Sequence, residues 1–367
     1  MEGQPLLSGF SCRDQVPSEV ADDLGMTGTH YCDPNSETCC CHQSNTGIQR
    51  VLVAMNGLQF EDLPDKVPIP LLPNAISTIP GDDGKLPFGT HQFGPALATR
   101  YTQIRGLLSG KPELAEDWRK LRYVPNHRLV LVHQETGDDK LESLFPATLR
   151  PSFFPAIKKV GNVVLVSPGY SVYDDGSMCE MHQDINLKRS LAFAVEANRV
   201  GVPCIPSIGW DKSRPRQLER IAEWLDRQGD KVTHLAVNAQ MGSEALWADL
   251  AAGMLYLERF TGRKYVWLVF GGADALRVVY RRIDSSRVVH VSAAVPTYTL
   301  KHRLLGEKGT NDLPAEELLR QNLEREAFLR TALRGPTKYP CPSCITEQLM
   351  AELQEHSSQL GQECTFA

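Results

Sequence analysis

From residue 128 onward the chain alternates short apolar runs with helical patterns, and this alternation limits the fold more than any other feature. The runs are RLVLVH (128–133), VVLVS (163–167), VPCIPSI (202–208), VTHLAVN (232–238), YVWLVF (265–270) and VVHVSA (288–293). Helical patterns fill the gaps, over 151–159, 185–200, 214–228, 243–260 and 273–282. Strands that take turns with helices at this spacing build a parallel sheet covered by helices. Residues 162–211 show the unit most clearly. An apolar run at 163–166 ends in Ser167-Pro168-Gly169, an acidic loop follows, and a helix stops at Gly201 before the run at 202–208. In such units ligands sit at the C-terminal ends of the strands.

The first third is less regular. Residues 1–47 are polar and carry Cys39, Cys40, Cys41 and His42, so they read as an irregular arm. RVLVAM (50–55) is a plausible first strand, and 61–95, rich in Pro, Gly and Asp, reads as a long loop. Residues 96–108 and 112–121 read as short helices. Six strands plus one or two from this third suit a TIM-like (β/α) barrel, for which roughly 250 residues suffice; a doubly wound open sheet is the main alternative. The expected organisation is an arm (1–47), an α/β barrel (48–310) and a helical tail (311–367) with a charged helix over 316–333 and a last amphipathic one over 346–356.

Composition narrows the class. The hydrophobic fraction of 42% is that of a globular protein, and no apolar run approaches the ~20 residues of a membrane span. The net charge of −5 argues against a broadly basic nucleic-acid binder. The first residues lack a secretory signal pattern, and the ten cysteines, three of them adjacent, do not form a disulfide framework. A cytoplasmic location is therefore expected.

Several residues are candidates for chemistry. Asp174 and Asp175 lie in the acidic loop at the expected barrel mouth, where carboxylates act as bases, nucleophiles or metal ligands; a solvated loop is the plain alternative. Asp184 reads as a helix cap. Asp211 follows an apolar strand and Trp210, and is either a site residue or a cap for the next helix. Tyr170, Tyr173 and Trp210 are the aromatics beside these acids. Gly271 and Gly272 admit close approach of backbone to a ligand, or simply make a tight strand-to-helix turn. His290 reads as a core histidine. Cys341 and Cys344 are half of a zinc site that His356 and one of Cys39, Cys40, Cys41 or His42 would complete.

The segment YVWLVFGGADALRVVYRRIDSSRVVHVSAAVPTY resembles the late barrel segment of tRNA-guanine transglycosylases, whose architecture is shared by the phage and bacterial relatives that insert 7-deazaguanine into DNA, the DpdA-like proteins; SPGYSVYDD with PSIGW also looks like a family of uncharacterised phage and plasmid proteins. The likeness covers roughly residues 160–305, and the Cys341/Cys344 tail agrees with it. It implies a glycosyltransferase that exchanges guanine for a 7-deazaguanine base in nucleic acid, DNA rather than tRNA, with a structural zinc. It further implies that one carboxylate among Asp174, Asp175 and Asp211 attacks the sugar, that a second acts as acid and base, and that an aromatic such as Tyr170, Tyr173 or Trp210 receives the base that leaves the stack. Two departures stand out. The family's CxCxxC is reduced to CxxC, and Ser292 occupies the place of the aspartate expected four residues before Pro296, so the nucleophile is missing or comes from elsewhere.

Other classes remain open to the sequence. Asp174, Asp175, Glu180, His182 and Asp211 would also suit a metal-dependent barrel hydrolase. A non-catalytic nucleic-acid-binding barrel needs a basic face. Arg277, Arg281, Arg282, Arg287, Lys301, His302 and Arg303 offer one near the last strands, unless they pair with Asp284, Glu307 and the acids after Asp312.

Overall fold

The computed structural model describes residues 10–11, 29–30, 59–66, 68–79, 88–101, 103–104, 118–120, 123–133, 150–170, 180–211, 215–240 and 242–334. Eight parallel strands run through them: β1 (Ala75–Thr78), β2 (Ala96–Arg100), β3 (Leu129–His133), β4 (Val163–Val166), β5 (Cys204–Ile205), β6 (His234–Ala239), β7 (Val266–Gly271) and β8 (Val288–Ser292). Neighbours follow chain order from β1 to β5 and from β6 to β8, and β8 pairs with β1. A bridge from Ser207 to Ala236 joins β5 to β6 and closes the ring. The result is a TIM-like (β/α) barrel. A two-residue antiparallel ladder joins Phe10–Ser11 to Thr29–His30 outside it.

The strands are apolar on both faces because both faces are covered. Side chains alternate, so one set fills the barrel. Ile76, Ala98, Leu131, Val164, Leu268 and Val291 belong to that interior cluster. The other set meets the helices α1 (Arg150–Val160), α2 (Glu180–Arg199), α3 (Pro215–Gln228), α4 (Glu244–Thr261), α5 (Ala273–Tyr280), α6 (Ala294–Leu300) and α7 (Ala315–Arg334). Val130, Val132 and Leu165 pack on Phe153, Phe154 and Phe193 on one side, and Val237, Trp267 and Val269 on Trp224, Met254 and Leu276 on the other. Burying one such side chain contributes about 1.5–3 kcal/mol, so a patterned strand of four or five residues suffices once its neighbours are in place.

Some expectations change. Residues 96–100 form strand β2, not the start of a helix, and β1 lies inside the segment read as a long loop. Propensity favoured helix for ALATR, but pairing with β1 and β3 decides its state. Helix α2 begins at Glu180, so Asp184 sits within it and forms an ion pair with Arg220 instead of capping it. Gly201, at φ +72°, ends the turn after α2 as expected. Helix α7, assigned on sequence to the tail, buries Leu318, Leu319 and Asn322 against its neighbours and completes the helix layer beside α5 and α6. The strand expected at 50–55, the helix at 112–121 apart from 118–120, and that at 346–356 lie outside the described residues. No helix among the described residues is long and apolar enough to cross a membrane.

At the start of β7 a buried carboxylate ties three elements. Glu258 of α4 accepts from Trp267 Nε1 at 3.0 Å, Lys264 Nζ at 3.2 Å, the Tyr265 backbone N–H at 3.3 Å and the guanidinium of Arg287. Burial pushes this carboxyl up, but the bonds from Arg287, Trp267 and Lys264 outweigh it and hold the group below its usual range.

Candidate active site at the C-terminal mouth of the barrel

The strand register places one further set of side chains above the apolar interior. Alternation along β1, β2, β3, β6 and β7 brings Thr78, Arg100, His133, Asn238 and Phe270 to the inner face near the strands' C-terminal ends. Thr78 Oγ1 and His133 Nε2 are 2.9 Å apart, both fully buried. Ala98, the small residue between them on β2, lets them meet across that strand. The His133 ring lies 4.8 Å from that of Phe270, centroid to centroid. Arg100 pairs in register with His133. A fixed imidazole beside a hydroxyl and a guanidinium can move a proton next to a bound anion.

A second polar network links the ends of β4 and β5 to α2. Ser167 Oγ and Ser190 Oγ are 2.9 Å apart, the Ser190 hydroxyl donates to Ser207 O at 2.8 Å, and the Ser207 N–H donates to Ser167 Oγ at 2.7 Å. Just beyond, Asp211 is 2% exposed. Gln183 Nε2 donates to its Oδ2 at 3.2 Å, its own N–H donates to Gln217 Oε1 at 3.0 Å, and Gln217 Nε2 donates to Gln183 Oε1 at 2.7 Å. Asp211 thus joins the first turns of α2 and α3 at the mouth side of the barrel. The same end of α2 buries Asn186, Lys188 and Arg189. Burial lowers the Lys188 ammonium, with Glu61 opposing that shift and Arg220 adding to it.

The other expected site residues divide by location. Asp174, Asp175 and Tyr173 lie outside the described residues, as do Cys41, Cys341, Cys344 and His356. Tyr170 is buried with the Arg189 guanidinium 3.7 Å above its ring, so its face is already occupied. Trp210 packs on α4: a Cβ at Gly253 would stand 2.3 Å from the indole, so this helix position accepts the ring only as glycine. Gly271 answers to strand packing, since a Cβ there would stand 2.9 Å from Ala239 O. Gly272 precedes α5 in open space. Among the described residues no three His, Cys, Asp or Glu side chains are grouped to hold a metal.

Of the basic residues near the last strands, Arg277 is 3% exposed, Arg281 pairs with Glu244 at 3.0 Å and Arg287 is held by Glu258, whereas Arg282, Lys301, His302 and Arg303 are exposed. Glu307 pairs instead with Arg325 at 2.7 Å, and Asp284 accepts from the Ser286 N–H at 2.9 Å. Helix packing turned these positions in different directions, which spacing along the chain did not reveal. His290 is a buried core histidine, as read from the sequence: Nε2 lies 2.8 Å from Gly271 O, and burial lowers its pKa to about 4. Ser292, which stands where the resemblance expects an aspartate, accepts from the Ala294 N–H at 3.0 Å and so supports the start of α6.

Sequence reasoning missed Thr78, Arg100, His133 and Asn238. The signal was the one that singled out Asp211, a polar residue closing an apolar run: ALATR, LVLVH and HLAVN all end that way. No family model, curated protein or solved structure matches the chain.

Proposed function

We propose that this protein is a base-exchange transglycosylase that works at the C-terminal mouth of its barrel, replacing guanine in nucleic acid, DNA rather than tRNA, by a 7-deazaguanine base. The observation that carries an enzymatic reading is the Thr78–His133 pair inside the mouth, with Arg100 in register beside it. The choice of base exchange rests on the resemblance of residues 160–305. In this reading a mouth carboxylate, Asp174, Asp175 or Asp211, attacks the sugar C1′ and the bond to guanine N9 breaks. His133 supplies the proton that guanine takes away. The incoming deazaguanine returns a proton to His133 as its nitrogen displaces the carboxylate. Arg100 binds the neighbouring phosphate. Ser292 takes no part.

The reading includes a structural zinc on Cys341, Cys344, His356 and Cys41 that does no chemistry, and a cytoplasmic location, in the host if the gene is phage-borne. Mass spectrometry of nucleosides from DNA and tRNA, in cells with and without the protein, tests the reaction. A deazaguanine nucleoside that depends on the protein is expected; identical nucleoside profiles would overturn the reading. Elemental analysis of the pure protein tests the zinc.

A further inference from the structure

The connection from β1 to β2 contains, among the described residues, a single 3₁₀ turn (Thr90–Gln92). Helix α7 leans across the N-terminal side of these two strands and leaves a cavity of about 320 Å³ between them. Asn74, Ser77, Glu326, Arg330, Thr331 and Arg334 supply its polar lining. That volume lies at the lower end of small-molecule sites. Asn74, Ala75, Pro95 and Ala96, at the start of β1 and β2, line it, so it opens at the end of the barrel opposite the mouth.

Two features of this cavity lack an internal explanation. The first is Glu326. It is 7% exposed and, among the described residues, makes no hydrogen bond and has His290 Nδ1 at 3.9 Å as its nearest ionic neighbour. His290 Nε2–H donates to Gly271 O, so Nδ1 presents a lone pair, and among the described residues that buried atom has no partner. Burial raises the Glu326 carboxyl, with Arg330 opposing, and lowers the His290 imidazole. A carboxyl and an imidazole therefore face each other across a gap too wide for a hydrogen bond. Buried polar groups in this state are rare unless something else meets them. The second feature is the pair Arg330 and Arg334. They are one helical turn apart on the same edge of α7, both line the cavity, and neither forms an ion pair among the described residues. Two neighbouring guanidinium groups that repel each other match the oxygens of a shared anion.

We propose that this cavity binds a small hydroxylated phosphomonoester, with the phosphate on Arg330 and Arg334 and a hydroxyl on Glu326. The arginines select the dianion, and the carboxyl oxygens of Glu326, which accept from a hydroxyl, select the hydroxylated body. The site lies at the end of a barrel that catalysis does not use, so its ligand acts as an effector and not as substrate. The inference is independent of the base-exchange reading.

Isothermal titration of the full chain with ribose 5-phosphate tests it, with ribose and inorganic phosphate as controls. Ribose 5-phosphate is expected to bind saturably below millimolar concentration, ribose not at all, and inorganic phosphate at least about tenfold more weakly. The double substitution Arg330→Gln/Arg334→Gln, on partly exposed helix positions, should weaken binding at least about tenfold with unchanged melting, whereas His133→Gln should bind as the wild type does. Absence of saturable binding up to about 10 mM, binding that survives the double substitution, or loss in His133→Gln would each overturn the site. Equal affinity for inorganic phosphate would overturn the hydroxylated class.

Discussion

His133 and His290 are both buried imidazoles on barrel strands, and they face opposite ways. His133 ends β3 on the inner face, where its partner is a threonine hydroxyl and its neighbour an aromatic ring. His290 sits in mid-strand on the outer face of β8, bonded to the backbone of β7 and turned toward α7. Residue type and burial do not separate them. Strand parity does: one residue of shift carries a side chain from the mouth to the helix layer. The inner imidazole is aimed into the barrel, and the outer one into the helix layer, where Glu326 faces it.

Substitution at the inner site is the strongest way to break this contrast. His133→Gln keeps a polar group against Thr78, and we expect it to reduce base exchange by about 10²–10⁴-fold while the thermal midpoint moves little. His290→Gln should leave the reaction unchanged. Nucleoside analysis of cells that express each variant compares them, and a reversed pattern would move the site to the outer layer.

Acid should separate the two next. The folded pKa of His290 is about 4, against an ordinary value of 6.5, because burial disfavours the imidazolium. The unfolded chain therefore binds this proton first as pH falls, and stability drops between about pH 6.5 and 4, by on the order of 3 kcal/mol from this group. His234, lowered to about 4 by burial, adds in the same direction. Glu326, raised by burial, works the other way above its ordinary pKa of 4.5. Urea titrations across this range should show a shallower fall for His290→Gln than for the wild type. An equally steep fall would place the sensitivity elsewhere.

The smallest effect concerns Ser292, on the same outer face as His290. Ser292→Ala removes the oxygen that accepts from the Ala294 N–H, and should cost about 1 kcal/mol of stability. Base exchange should stay at the wild-type rate. A loss of activity without a loss of stability would show that this residue has the part that the resemblance gives to an aspartate.

The barrel was legible where its pattern was long. From β3 onward each apolar run is bounded by turns and followed by a helix, and the structure follows that reading closely. β1 and β2 were not legible for physical reasons. AIST is four residues long among prolines, and ALATR ends in Arg and carries two alanines, so neither commits itself to a strand until β8 and β3 pair with them. The site was legible in kind but not in membership. The rule that chose Asp211 also applies to His133 and Arg100, yet only the register shows that these two stand side by side. Trp210 shows the converse. An aromatic at a strand end looked available, and a glycine one helix away had already made room for it.

The closure between β5 and β6 is the weakest part of the barrel's hoop. Every other pair of neighbouring strands shares a ladder of at least two residues, whereas this pair has a single bridge, framed by the Ile208 and Ala236 amides at 2.9 Å each. A hoop yields at its seam. The three serines beside it act as rivets, tying β4, β5 and α2 where backbone pairing is thin. Breathing at this seam would open the wall next to Asp211 and leave the opposite wall, with Thr78 and His133, in place.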